Sequence, residues 1–84
     1  MVYFYVLQSL KNPEWFYKGS TPNLIRRIAQ HNKGEVNSTK PYLPLRLVYY
    51  EAYVSEKAAR ERESLVKNNG NVWVPLRKRI LRSF

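Results

Sequence analysis

Two aromatic and β-branched runs lie close together at the start of the chain, VYFYVLQS at 2–9 and WFYKGS at 15–20, with KNPE at 11–14 between them. Such side chains suit a pleated, half-buried surface, and Pro13 suits the second position of a tight turn. The pair predicts a hairpin on which the rest of the chain must pack. A third run of the same character, LRLVYYEAYV at 45–54, predicts a third strand. Five of the seven tyrosines fall in two clusters within these runs, at 3–5 and 49–53.

Helical patterns fill the gaps. Thr21 is placed to cap a helix whose first residue is Pro22. The helix is predicted over 22–32, with Gly34 closing it. At about 100° per residue, Leu24, Ile25, Ile28 and Ala29 form its apolar face, and Arg27 and His31 stack one turn apart at the border. Residues 33–45, with Gly34, Asn37, Ser38, Pro41 and Pro44, predict a loop. A second helix is expected over 55–67, capped by Ser55, with Ala58, Ala59, Leu65 and Val66 inward. Arg62 falls near the middle of that inward arc; either its stem packs there and its head reaches water, or it pairs with a buried acceptor. NNGN at 68–71 stops this helix, and Pro75 opens a last one. There Leu76, Ile80 and Phe84 share a face while Lys78, Arg79 and Arg82 point out. The order ββαβαα predicts an α+β fold, a small three-stranded antiparallel sheet flanked by three helices, forming a single domain over 1–84.

Composition removes whole classes of chemistry. Without cysteine there are no disulfides, thiolate metal sites or thiol nucleophiles. One histidine rules out a histidine-cluster metal site, and with no Asp among the six acids a Ser–His–Asp triad is impossible, although a Glu could take the Asp's place. Fifteen Lys and Arg give a net charge of +9, which favours a polyanionic partner, nucleic acid ahead of an anionic membrane. No apolar run approaches a membrane-spanning length. The start lacks a basic segment and a cleavage site, so a cytoplasmic location is expected.

Among the carboxylates, Glu63 lies about 40° outside Ala59 on the helical wheel, where it can reach the rim of the sheet. A salt bridge to one of the many cations is the structural alternative. Equivalent alternatives hold for half-buried strand tyrosines at 5 and 17, a surface Arg27, and a His31 capping its helix C-terminus.

Four segments, YFY at 3–5, YKG at 17–19, NLIRRIAQHN at 23–32 and ARERESLVK at 59–67, together resemble the GIY-YIG nuclease domain. The nearest likeness is to small stand-alone bacterial proteins similar to the nuclease domain of the excinuclease C subunit. Tyr3 and Phe4 replace the family's Gly and Ile, and Lys18 replaces the Ile of the second tripeptide; Tyr5, Tyr17 and Gly19 are kept. Asn68, Asn69 and Asn71 all remain candidates for the late Asn of some members. The resemblance implies a divalent-metal-dependent endonuclease acting on DNA, in repair or recombination. Its catalytic residues would be Tyr5, Tyr17, Arg27, His31 and Glu63, with Glu63 holding a single Mg²⁺ or Mn²⁺ and either tyrosine as the base. A non-catalytic nucleic-acid-binding module of the same fold is the alternative. A basic RNA- or ribosome-associated protein is a third class, resting on charge alone. Backbone contacts to DNA are expected from Lys33, Lys40, Arg46, Lys67, Lys78, Arg79 and Arg82. With no room for a targeting domain, target choice would come from branched or damaged structure, or from a protein partner.

Overall fold

The computed structural model describes all 84 residues. Strands β1 (Val2–Ser9), β2 (Phe16–Thr21) and β3 (Leu45–Tyr53) form one antiparallel sheet in the order β2-β1-β3. Helices α1 (Leu24–Asn32), α2 (Glu56–Asn68) and α3 (Gly70–Arg82) complete the predicted α+β order. β1 is the central strand, and Phe4 to Ser9 are buried without a break.

Period-two alternation divides the core between the two faces of the sheet. Phe4 and Val6 point to α2 and α3, where Val66, Leu76 and Ile80 enclose them with Phe16, Tyr49 and Trp73. Tyr5 and Leu7 point to α1, meeting Leu45, Tyr17, Leu24 and Ile28. A bulge in β3 opposite Val6 and Leu7 turns Val48 and Tyr49 to the α2 and α3 side while returning Leu47 and Tyr50 to the α1 side. A fully buried side chain such as Phe4 or Val6 contributes about 2 kcal/mol of transfer energy.

The structure corrects several local expectations. Asn23, not Thr21, caps α1, its side chain accepting from the Arg26 amide; Thr21 instead ends β2 and braces Asn23 through its hydroxyl. Ile25 is 85% exposed and Ala29 also faces water, so α1 turns Leu24, Arg27, Ile28 and His31 towards the sheet. α3 begins at Gly70, capped by Asn69, and Pro75 lies inside it. Phe84 is exposed beneath the Arg46 guanidinium, and Leu65 is also exposed. Gly34, at φ 76°, closes α1 by donating to the His31 carbonyl. Within the predicted loop, Lys40–Tyr42 form a single 3₁₀ turn. Asn32 fastens the end of that loop, its amide bonding both the N–H and the carbonyl of Leu45.

Arg62 takes the second of its two options. Its guanidinium donates in bidentate fashion to Glu51 at 3.0 and 3.1 Å, and Tyr49 and Tyr53 donate to the same carboxylate. Burial opposes the Glu51 charge most strongly, but these donors outweigh it and hold the carboxyl below its usual range. This saturated cluster ties α2 to β3.

Candidate active site at the edge of the sheet

β1 and β2 pair Tyr5 with Gly19, and the Tyr5 ring lies over that glycine. A Cβ at position 19 would sit 2.6 Å from the Tyr5 Oη and 2.7 Å from its Cζ. Gly19 is thus required for space rather than for an unusual backbone angle. Tyr17, two residues earlier on the same face, brings its ring to 6.3 Å from that of Tyr5 and 5.0 Å from that of His31.

Tyr5 and His31 are respectively 1% and 0% exposed. Nε2 of His31 lies 2.9 Å from the Tyr5 hydroxyl, and Nδ1 lies 2.8 Å from Thr39 Oγ1. Thr39, itself buried, donates its hydroxyl proton to the Val36 carbonyl at 3.3 Å. Thr39 therefore accepts from Nδ1–H, which leaves Nε2 to accept the proton of Tyr5. Ionisation states agree with this chain. Burial, then the charge of Arg27, lowers the His31 pKa to about 4, so the ring is neutral. Burial pushes the Tyr5 phenol up to about 12, against the pull of Arg27 and with the nearby Tyr17 and Glu63 raising it further. His31 is thus not a helix cap but the middle of a buried Tyr5–His31–Thr39 relay.

The other face of β2 carries Lys18 and Ser20. Ser20 donates to Glu63 Oε1 at 2.6 Å, reaching across to α2, and Lys67 donates to Glu63 Oε2 at 2.7 Å from one helical turn further on. Lys67 also lies 5.6 Å from the centre of the Tyr17 ring. Lys18 packs its ammonium 4.3 Å above Trp73. Burial, then the charge of Lys67, lowers its pKa. Ser20 also lines a polar cleft of about 290 Å³ with Thr21, Pro22, Asn23, Arg26, Arg27 and Gln30. Gln30 accepts from Arg27 at 3.2 Å, which orients the guanidinium. Ser20 thus both lines the cleft that holds Arg27 and donates to Glu63, so these two side chains, 36 residues apart in sequence, flank one serine.

The five sequence candidates, Tyr5, Tyr17, Arg27, His31 and Glu63, come together here. The expected DNA-binding cations do not form one patch. Lys33 and Lys40 are exposed on the α1 side, whereas Lys78, Arg79 and Arg82 are exposed on α3 across the sheet. Arg46 is held by Gln8 at 2.8 and 3.0 Å, and Lys67 belongs to the Glu63 pair. Ser20, Arg26 and Thr39 were missed as site residues. Strand alternation would have placed Ser20 opposite Gly19; nothing in the loop sequence marks Thr39.

For a metal, Glu63 is the one carboxylate at this site, and the chain has no grouping of three His or Glu side chains that could form a cage. That donor set fits a hard cation such as Mg²⁺, which keeps most of its waters and takes oxygens from phosphate.

A cationic cleft, a lone carboxylate and a tyrosine pair gather around the edge strand of this small α+β sheet. The comparison of sequences gives the class of domain: residues 1–73 match the model of the GIY-YIG catalytic domain, and the chain belongs to that family. It is 40% identical over 62 residues to a UPF0213 protein of Pediococcus pentosaceus, a match covering 73% of this chain and 63% of the relative. It is 39% identical over 66 residues to a UPF0213 protein of Streptococcus pyogenes serotype M3, covering 77% and 70%. The matched region is thus a little under two thirds of the first relative's length. No helix is long and apolar enough to cross a membrane.

Proposed function

We propose that the chain is an endonuclease that hydrolyses DNA phosphodiester bonds with the help of a divalent cation. The observation that carries this reading is the meeting of Arg27 and Glu63 at Ser20, beside a tyrosine pair on the same strand edge. Arg27, oriented by Gln30, would contact the non-bridging oxygens of the scissile phosphate and stabilise the charge that grows there. Tyr17, half-buried at the edge, would take the proton of the attacking water. Tyr5 is a poor candidate for that step, because its own proton is aimed at His31 and its phenol is pushed up to about 12. The Tyr5–His31–Thr39 chain would instead hold the wall of the site uncharged and fixed. A Mg²⁺ or Mn²⁺ held by Glu63 would supply positive charge near the leaving oxygen. Lys67, which shares the carboxylate, would have to give up one oxygen.

That last point favours one rival reading, a binding module whose carboxylate serves only its salt bridge. Nicking of supercoiled DNA by purified protein separates the two. Cleavage should need Mg²⁺ or Mn²⁺, stop with chelator, and vanish in Glu63→Gln while DNA binding survives. Glu61→Ala, at an exposed position paired only with Lys57, should stay active. Equal nicking by Glu63→Gln and the parent would refute the catalytic reading.

A further inference from the structure

Beside the cationic cleft lies a second, apolar groove. It is lined by Tyr3, Pro22, Asn23, Leu24, Ile25 and Tyr50, with a volume of about 350 Å³. Pro22 and Asn23 belong to both hollows, so only the Pro22–Asn23 turn divides them. Tyr3 pairs across the sheet with Thr21, which lines the cleft. Tyr3 and Tyr50 stand edge to face, with ring centres 5.9 Å apart. Tyr50 is 54% exposed and Ile25, opposite it on the first turn of α1, is 85% exposed. Neither side chain is needed by either core cluster.

We propose that this groove is a stacking site for one unpaired nucleobase next to the phosphate held in the Arg26–Arg27 cleft. The proposal rests on the nuclease reading above and names the form of nucleic acid that the site prefers. Aromatic rings beside a basic track are the chemistry by which single strands are held, since every base offers a π face. A base inside a duplex has both faces covered by its neighbours and cannot enter. A strand end, a flap or a distorted step can. Charge argues for this occupant over a second copy of the chain: two copies would bring Arg26 and Arg27 of each close together on proteins already at +9.

The test measures binding, in chelator, of a single-stranded oligonucleotide and of the duplex of the same sequence. A 2-aminopurine in the strand reports stacking through quenching. Tyr50→Ala should weaken the single strand by about tenfold and relieve the quenching, with duplex affinity changed by less than about twofold. Tyr50→Phe should bind as the parent does. The salt dependence should be unchanged in Tyr50→Ala, because no phosphate contact is lost, whereas Arg26→Ala should make the slope shallower by about one unit. Unaltered single-strand binding by Tyr50→Ala, or equal losses on strand and duplex, would overturn the proposal. A dimer in sedimentation that Tyr50→Ala dissolves, with no competition by oligonucleotide, would overturn it in favour of a self-association surface. No cleavage is needed for the readout, so an inactive site fails the nicking assay and leaves this result standing on its own.

Discussion

Burial of His31 makes acid sensitivity a quantitative expectation. In the unfolded chain its pKa is about 6.5; in the fold, burial and Arg27 lower it to about 4. The folded ring is neutral while the unfolded one is protonated, so the unfolded state binds more protons in the interval between the two values. Stability from this group is therefore complete above the unfolded value and is lost as pH falls towards the folded one. The full difference is about 2.5 units, or about 3 kcal/mol, and about 2 kcal/mol of it falls between about pH 7.5 and about pH 5. This is a large part of the total for so small a domain. Glu51, also held below its usual range, adds its own acid loss only at lower pH. Urea unfolding followed through tryptophan fluorescence at steps across that window would measure the slope. The chain has one histidine, so His31→Gln should flatten the slope, whatever it does to stability at neutral pH. A flat profile for the parent, or the same slope in His31→Gln, would refute the assignment of a buried neutral ring.

Other expectations can be read in plasmid-nicking and unfolding assays. Arg27→Ala should lose roughly 100- to 1000-fold in rate, and Arg27→Lys most of that, because the fork geometry is lost with the charge kept. Arg26→Ala, on the same cleft, should weaken DNA binding and spare the rate at saturation; equal cleavage by the two alanine variants would exclude Arg27 from the chemistry. Tyr17→Phe should lower the rate by about 100-fold or more. Tyr5→Phe should lose less rate but about 1–3 kcal/mol of stability, since Nε2 of His31 is left unpaired; the reverse order of rates would make Tyr5 the base. Gly19→Ala should cost about 1–3 kcal/mol and displace the Tyr5 hydroxyl, seen as a rise in the His31 pKa by NMR.

What the sequence made legible follows from where each signal is local. Strands, the hairpin turn, the Ser55 cap and the Gly34 closure depend on neighbours a few residues away, and they were readable. The inner face of α1 was readable only in part: Leu24 and Ile28 pack as expected, whereas Ile25 and Ala29 face water and Arg27 and His31 turn inward. His31 lies inward because Tyr5 on β1 and Thr39 in the loop satisfy it, and partners distant in sequence leave no trace in a wheel; Arg27 is oriented locally by Gln30. Pro75 misled for a related reason. Its fixed φ suits a first helical residue, but it is tolerated inside α3 at the sixth position, where helix entry at Gly70 is fixed by the Asn69 cap. The five proposed site residues were named through a family resemblance; the wheel alone put Glu63 and Arg27 at borders with no means of joining them. Ser20 joins them, and a serine on a strand carries no signal until α2 is known to cover that face.

The edge position of β2 accounts for the division of labour. The central strand is sealed along six residues, so a polymer can approach only where the sheet ends. At that edge, alternation sends Tyr17, Gly19 and Thr21 to the α1 side and Lys18 and Ser20 to the α2 side. The first side holds the buried Tyr5–His31–Thr39 chain with Arg27 beside it; the second holds the Ser20–Glu63–Lys67 set. Lys67 pairs with the single carboxylate, and Arg26 and Arg27 line the adjoining cleft that shares Ser20, so the neighbourhood is positive before any substrate arrives. Such a field would favour a phosphate over a free divalent cation. On the proposed reading, a divalent cation at Glu63 would need Lys67 to release the carboxylate and phosphate oxygens to offset the surrounding positive charge, so metal and DNA binding would be coupled.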